Sequence, residues 1–311
     1  MQSFGNIVVF HPAAIGDALL ATPVVTTLKQ NFPAAKLTYW SHPELKQLLL
    51  GLCPSIDEFV DYVRESSFFD ILRSMERLKP DLFVDLSNSG KTRMLPWFTR
   101  RKILRYRKQS PHAEVIQHAV HNFLETIHPV CSEFPAQFFP TIFPDALAEE
   151  VLPQLLEAVP AKDLPFIGLV PGVGRHRPHR AWIPDGWIYL LRFLVEQRTY
   201  LPVIIGGEED IPLCDAIVEQ FKNDCLNVVG KLSLPQTAAV LKKCQVVVAG
   251  DTGPAHLAVA VGTPVIGLYG PTFPARSGPY NCEGLIIDQS AACRCHGNKV
   301  CLFARPDAPG E

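Results

Sequence analysis

Short apolar runs recur along the whole chain, and longer stretches whose apolar positions repeat every three to four residues lie between them. Unalternating runs predict strands covered on both faces, and the longer stretches predict helices. Their regular alternation predicts βαβ units built on parallel sheets. In the first half, strands are expected at residues 7–11, 36–41, 57–63, 80–86 and 102–105, with helices over 17–31, 68–78 and 114–127. A second cycle starts at Phe166, with strands at 166–170, 203–207, 227–229, 246–251 and 264–270 and helices at 184–196, 211–221, 235–243 and 254–261. Between the cycles the chain is crowded with prolines (Pro135, Pro140, Pro144, Pro153, Pro160, Pro165) around one helical stretch at 147–158. This passage predicts a change of domain. The expectation is two Rossmann-like domains, 1–150 and 151–311, in an α/β fold with ligands at the carboxyl ends of the strands.

Length and composition agree with that plan. The chain has 311 residues, room for two domains of roughly 150, and 47% of it is hydrophobic, enough for two cores. The net charge of −2 removes the basic footprint of a nucleic-acid binder. Basic residues nevertheless cluster at Arg100, Arg101, Lys102, Arg105, Arg107 and Lys108. That stretch suits either an anionic surface or a solvated face. The first residues run directly into an apolar strand, and no run reaches the roughly 18 apolar residues of a membrane span. A cytoplasmic protein is expected, with peripheral contact at the inner face of the cytoplasmic membrane. Cys53, Cys131, Cys214, Cys225 and Cys244 sit in apolar segments and read as buried thiols of a reducing compartment.

Four loops carry residues able to do chemistry. The first is His11-Pro12-Ala13-Ala14-Ile15-Gly16-Asp17, where Asp17 either caps a helix or offers a general base at a strand's carboxyl edge. The glycine fingerprint of a dinucleotide site is missing there. The second is Gly250-Asp251-Thr252-Gly253-Pro254-Ala255-His256-Leu257. A helix starting in this turn would aim free amides and the positive end of its dipole at a diphosphate, and Gly253 would allow close approach. The third, Pro171 to Pro184, holds Arg175, Arg177 and Arg180 with His176 and His179. Its guanidinium groups suit phosphate oxygens and can neutralise a leaving diphosphate without a metal. The fourth is Gly206-Gly207-Glu208-Glu209-Asp210, whose acids either accept from ribose hydroxyls or cap a helix.

In order and spacing these segments resemble glycosyltransferase family 9, the ADP-heptose:lipopolysaccharide heptosyltransferases. Gly16-Asp17-Ala18-Leu19-Leu20-Ala21-Thr22-Pro23 is similar to the family's opening motif. Asp251-Thr252-Gly253-Pro254-Ala255-His256-Leu257, followed by Tyr269-Gly270-Pro271-Thr272, is similar to its second one. The resemblance implies the GT-B fold, two Rossmann-like domains whose parallel sheets face an interdomain cleft. It also implies an inverting transferase that uses neither metal nor cofactor. Asp17 would be the general base. Arg180, Glu208, Asp251, Thr252, Gly253 and His256 would bind the donor, ADP-heptose, and Arg64 and Arg105 an anionic glycolipid or glycan acceptor. Arg180 stands near a position where familiar members carry a phosphate-binding lysine. Cys293, Cys295 and Cys301 with His296 resemble the cysteine-bearing segment near the end of many members, read as a reduced loop in preference to a zinc site. A transferase using another nucleotide-sugar and a non-catalytic nucleotide-sugar binder are the alternatives.

Overall fold

The computed structural model describes residues 3–109, 115–156, 163–174, 178–221 and 223–290, the side chains of 148 and 149 excepted. The chain divides into two compact units, Met1–Phe143 and Pro144–Glu311. The helix Asp145–Leu156 belongs to the second unit, where Lys242 reaches Asp145 at 2.5 Å.

The first unit holds five parallel strands among the described residues: β1 (Asn6–Phe10), β2 (Lys36–Ser41), β3 (Glu58–Asp61), β4 (Leu82–Asp85) and β5 (Lys102–Arg105). Their spatial order is β3-β2-β1-β4-β5. The chain thus winds outward from β1 in one direction, then returns to its other side and winds the opposite way. β1 is apolar because it is the central strand, and Ile7, Val8, Val9 and Phe10 are all buried. On one face Val8, Phe10, Trp40 and Phe83 pack against Ile71 and Met75 of the helix Phe68–Leu78. Ser67 and Asp70 start that helix with a reciprocal capping box.

The helix expected over residues 17–31 is two helices, Ile15–Leu20 and Thr22–Asn31. Thr22 turns its hydroxyl back to the Leu19 carbonyl at 2.7 Å, and Pro23 has no amide to continue the ladder. Of the helix expected at 114–127, the described part is Ala119–Leu124 followed by a 3₁₀ turn, Glu125–Ile127. The helix Lys46–Leu52 was not expected, since its Leu-rich run has too few polar positions to show a period.

The second unit carries β6 (Phe166–Val170), β7 (Leu201–Ile204), β8 (Leu226–Asn227), β9 (Cys244–Ala249), β10 (Val265–Tyr269) and β11 (Ile286–Asp288). All are parallel, in the order β11-β10-β9-β6-β7-β8. The reversal here lies between β6 and β9. Trp187 and Leu191 of the helix Pro184–Gln197 pack with Ile204, Cys214 and Ile217 on one face. The helix Gly253–Ala260 is buried along most of its length, and Ala255, Ala258 and Ala260 let it lie close to the sheet. β11 was not anticipated, because three residues are too few for a period. No helix among the described residues is long and apolar enough to cross a membrane.

Gly267 in β10 has a packing role. A Cβ there would come within 2.9 Å of the Tyr269 ring two residues on, so only glycine lets that ring lie back along the strand. We expect Gly267→Ala to destabilise the protein by about 1–3 kcal/mol through overpacking, measured by chemical denaturation. An unchanged denaturation midpoint would mean that the ring moves aside freely.

Candidate functional site

In each unit the winding reverses beside the central strand, and the loops leaving the two flanking carboxyl ends part there. The sequence-predicted site residues fall on these edges.

In the first unit, β1 runs into His11 and then the helix Ile15–Leu20. Asp17 is in the first turn of that helix, two residues inside its first residue, and it is exposed. The N-cap position belongs to Ala14, which makes no side-chain capping bond. Asp17 is therefore not the cap, although its charge suits the positive end of the helix. Behind it, His11 is buried and its Nδ1 lies 3.0 Å from the Tyr39 hydroxyl. The Ser41 hydroxyl donates to the His11 carbonyl at 2.6 Å, fixing the strand end. Burial pushes the His11 imidazole down to about 4, against the opposing pull of the Asp17 carboxylate. At neutral pH the ring is uncharged and the carboxylate stands in front of it.

Across the reversal, β4 ends in buried Asp85. Its Oδ1 accepts from the Ser87 amide at 2.9 Å and the Ser87 hydroxyl at 2.5 Å. Arg105, at the end of β5, brings Nη1 to 3.8 Å from Asp85 Oδ2 and donates through Nη2 to the Ser89 carbonyl. Arg64, on the loop after β3, is exposed, and its carbonyl accepts from Lys91 Nζ at 3.2 Å. Lys91 also donates to the Ser66 carbonyl at 2.9 Å and so straps the two loops together. Arg64, Arg105 and Asp17 thus share one edge of the first sheet.

In the second unit, Arg180 and Asp251 meet at 2.5 Å with only 13% and 12% of their side chains exposed. Asp251 follows β9, and Arg180 sits in the loop after β6, in the 3₁₀ turn Pro178–Arg180. Trp182 holds that loop in place. Its ring covers Gly186, where an added Cβ would meet it at 2.5 Å, and contacts Trp187 edge-on at 5.3 Å. Gly250 allows a further close approach, since a Cβ would lie 3.3 Å from Val173 and 3.6 Å from the Arg180 carbonyl.

Thr252 is the N-cap of the helix Gly253–Ala260, yet its hydroxyl makes no capping bond and is buried without a hydrogen-bond partner among the described residues. The Tyr269 and Thr272 hydroxyls are likewise buried and unpartnered among the described residues. Burial, reinforced by the Asp251 charge and opposed by Arg180, raises the Tyr269 pKa and keeps the phenol protonated. His256 lies buried on the same helix. Pro254 is the second helical residue, one place later than its usual first position, because the helix starts at Gly253.

Glu208 is exposed and opens the 3₁₀ turn Glu208–Asp210 after β7. The capping role in that loop falls to Asp210, which accepts from the Gly207 amide at 3.0 Å and leaves Glu208 facing solvent. The Asp210 carboxylate also packs directly against Gly172 and Gly206. Arg175, His176 and Arg177 lie outside the described residues, as do Cys293, Cys295, His296 and Cys301.

Sequence reasoning named Thr252 and, through the Tyr269-Gly270-Pro271-Thr272 turn of the second motif, Tyr269 and Thr272, but gave their hydroxyls no separate role. Gly267, two residues before Tyr269, leaves the gap into which the tyrosine ring lies back along the strand. Asp85 was also passed over, because one acid closing an apolar strand has no spacing to mark it.

Residues 63–304 match Glycosyltransferase family 9 (heptosyltransferase). The chain is 25% identical over 307 residues to lipooligosaccharide heptosyltransferase 2 of Haemophilus influenzae, covering 91% of this chain and 88% of that protein. Among solved structures, the Escherichia coli ADP-heptose lps heptosyltransferase II has a TM-score of 0.75 at 19% identity, covering 91% of this chain and 89% of that one. The Escherichia coli heptosyltransferase WaaC with ADP gives 0.66 at 19% identity, with 91% and 92% covered. With these the chain shares the GT-B fold, two Rossmann-like units in one polypeptide.

The buried neutral His11 sets a pH dependence. The unfolded imidazole, near 6.5, binds a proton that the folded one refuses until about 4. Its contribution to stability is full above about 6.5 and is lost as pH falls to about 4, a decline of about 3 kcal/mol. Urea titrations across that window should show a flatter slope for His11→Asn than for wild type. Parallel slopes would place the imidazole in contact with water.

Proposed function

This chain belongs to glycosyltransferase family 9, and we propose that it transfers heptose from ADP-heptose to a lipopolysaccharide-core or related surface-glycan acceptor, inverting the anomeric centre without a metal. The observation that carries this reading is the Arg180–Asp251 pair beside the start of the helix Gly253–Ala260. A cation, a helix N-terminus that its N-cap Thr252 leaves uncapped, and the hydroxyls of Thr252, Tyr269 and Thr272, unpartnered among the described residues, lie in the segments where a diphosphate is expected. The near full-length similarity to heptosyltransferases supports the sugar, and the relative whose structure contains ADP supports the nucleotide.

The roles divide by unit. The second binds the donor: Arg180, Thr252 and the amides from Gly253 onward receive the diphosphate. Asp251 holds the guanidinium in place, and His256 supports the turn from its buried position. Glu208, free of the capping role, accepts from the ribose hydroxyls. The first unit binds the acceptor: Arg64 and Arg105 take its anionic groups, and Asp17 is the general base.

Asp17 removes the proton of the acceptor hydroxyl as that oxygen attacks the anomeric carbon. The bond from that carbon to the diphosphate oxygen breaks on the opposite face, and ADP departs with the electron pair. A single displacement inverts the centre. The charge gathering on ADP meets Arg180 and oriented amides, which stabilise it without reorganising. An acceptor of this kind places the work at the inner face of the cytoplasmic membrane.

Asp17→Asn should lower turnover by at least ~100-fold, the lower range for a lost general base, with donor affinity little changed. Arg180→Met should instead weaken ADP binding about tenfold or more, the scale of one charge-assisted hydrogen bond. Initial-rate kinetics and calorimetry with ADP separate the two effects. Unaltered turnover in Asp17→Asn would remove that carboxylate from the mechanism.

A further inference from the structure

Asp85 is the one buried acid among the described residues, only 1% exposed. The sheet sets its place. It closes β4 and pairs in register with Phe10 of β1 on one side and with Arg105 of β5 on the other. The next amide, that of Leu86, donates to the Phe10 carbonyl at 2.9 Å. Asp85 thus stands on the carboxyl edge, beside the strand end that leads to Asp17. Its Oδ1 is satisfied by the amide and the hydroxyl of Ser87. Its Oδ2 has no hydrogen bond among the described residues and faces Arg105 Nη1 at 3.8 Å.

An acid is costly at such a place, and the bonds from Ser87 do not require one. The amide oxygen of an asparagine would accept both. What only the acid supplies is a negative charge opposite the guanidinium. Arg105 also donates through Nη2 to the Ser89 carbonyl, so its two terminal nitrogens face two fixed points while 25% of the side chain stays exposed. A long side chain held in this way has little rotamer freedom left to lose when an anion arrives. The loop after β4 carries the constraint further. The Ser89 amide donates to the Ser87 hydroxyl at 3.1 Å, and the Thr92 hydroxyl to the Ser89 carbonyl at 3.0 Å. Lys91 of the same loop reaches the carbonyls of Arg64 and Ser66. Both arginines assigned to the acceptor are therefore tied to the loop that Asp85 anchors.

We propose that Asp85 is a positioning residue that sets the preference for an anionic acceptor: its carboxylate keeps the Arg105 guanidinium in the orientation that receives the acceptor's anionic group. The inference rests on the reading of Arg105 as an acceptor-binding group. Asp85 itself touches no substrate and acts through Arg105.

The test is calorimetric titration of the full chain, without donor, with a lipopolysaccharide-core oligosaccharide and with the same oligosaccharide after methyl esterification of its acidic groups. Wild type should prefer the anionic form by about tenfold or more, the scale of one charge-assisted hydrogen bond. Asp85→Asn should remove most of that preference by weakening the anionic form, with the ester bound within about twofold of wild type. Arg105→Met should do the same. In the Arg105→Met background, Asp85→Asn should add less than about twofold, since a residue acting through another is not additive with it. If Asp85→Asn does not fold, the half-exposed Ser87→Ala takes its place, with a smaller loss in the same direction that also disappears in that background. Retention of the preference in Asp85→Asn while Arg105→Met loses it would overturn the proposal alone. So would equal weakening of both oligosaccharides, which would make the role of Asp85 structural. A wild type without the preference, or an Arg105→Met that keeps it, would remove Arg105 from the acceptor site and the inference with it.

Discussion

The reversal of winding beside the central strand of each sheet is the constraint on which the rest depends. Strands to one side of β1 and of β6 are reached by crossovers in one direction, and strands to the other side by crossovers in the opposite direction. The loops leaving the neighbouring carboxyl ends must part, and the crevice that opens is lined by backbone ends that no strand can pair. The chain fills the two crevices differently. In the first unit Asp85 takes up Ser87 and stands opposite Arg105, and the exposed Asp17 carboxylate stands before a neutral imidazole. In the second, glycine at position 250 brings backbone and the Arg180 loop together, and the following helix begins at Thr252, whose hydroxyl does not cap it.

The electrostatics follow from what is buried at each edge. His11 is desolvated by the same strand end that places Asp17, so the carboxylate has no protonated imidazole to pair with at neutral pH. Arg180 and Asp251, by contrast, are both largely withdrawn from water and held together. A pair like that adds little to stability, because desolvation of both charges offsets their attraction. It does hold the guanidinium in one orientation. Three buried hydroxyls without partners make the second edge costly to maintain in isolation. Oxygen acceptors on a bound diphosphate would satisfy them.

Much of this was legible in the residues. Unalternating apolar strands marked parallel sheets, and the order of the two motifs placed Asp17 and Asp251 on loops after central strands. What escaped was local or tertiary. The break at Ala21 came from one threonine hydroxyl and one proline acting together, and β11 is too short to carry a period. The capping alternative for Asp17 failed because the helix starts two residues earlier than the glycine suggested. Thr252 looked like an ordinary cap and only its geometry showed an uncommitted hydroxyl. The motif named Tyr269, but the room that Gly267 leaves for its ring is visible only once the strand is built.

Calorimetric titration of the full chain with ADP, GDP and UDP under one set of conditions tests the central claim most directly. The account predicts that ADP binds distinctly more tightly than the other two, as expected for a donor site that takes ADP-heptose. Preference for GDP or UDP would contradict it, keeping the fold and the displacement chemistry but assigning the donor to another nucleotide-sugar. Failure of all three to bind would contradict the diphosphate site itself.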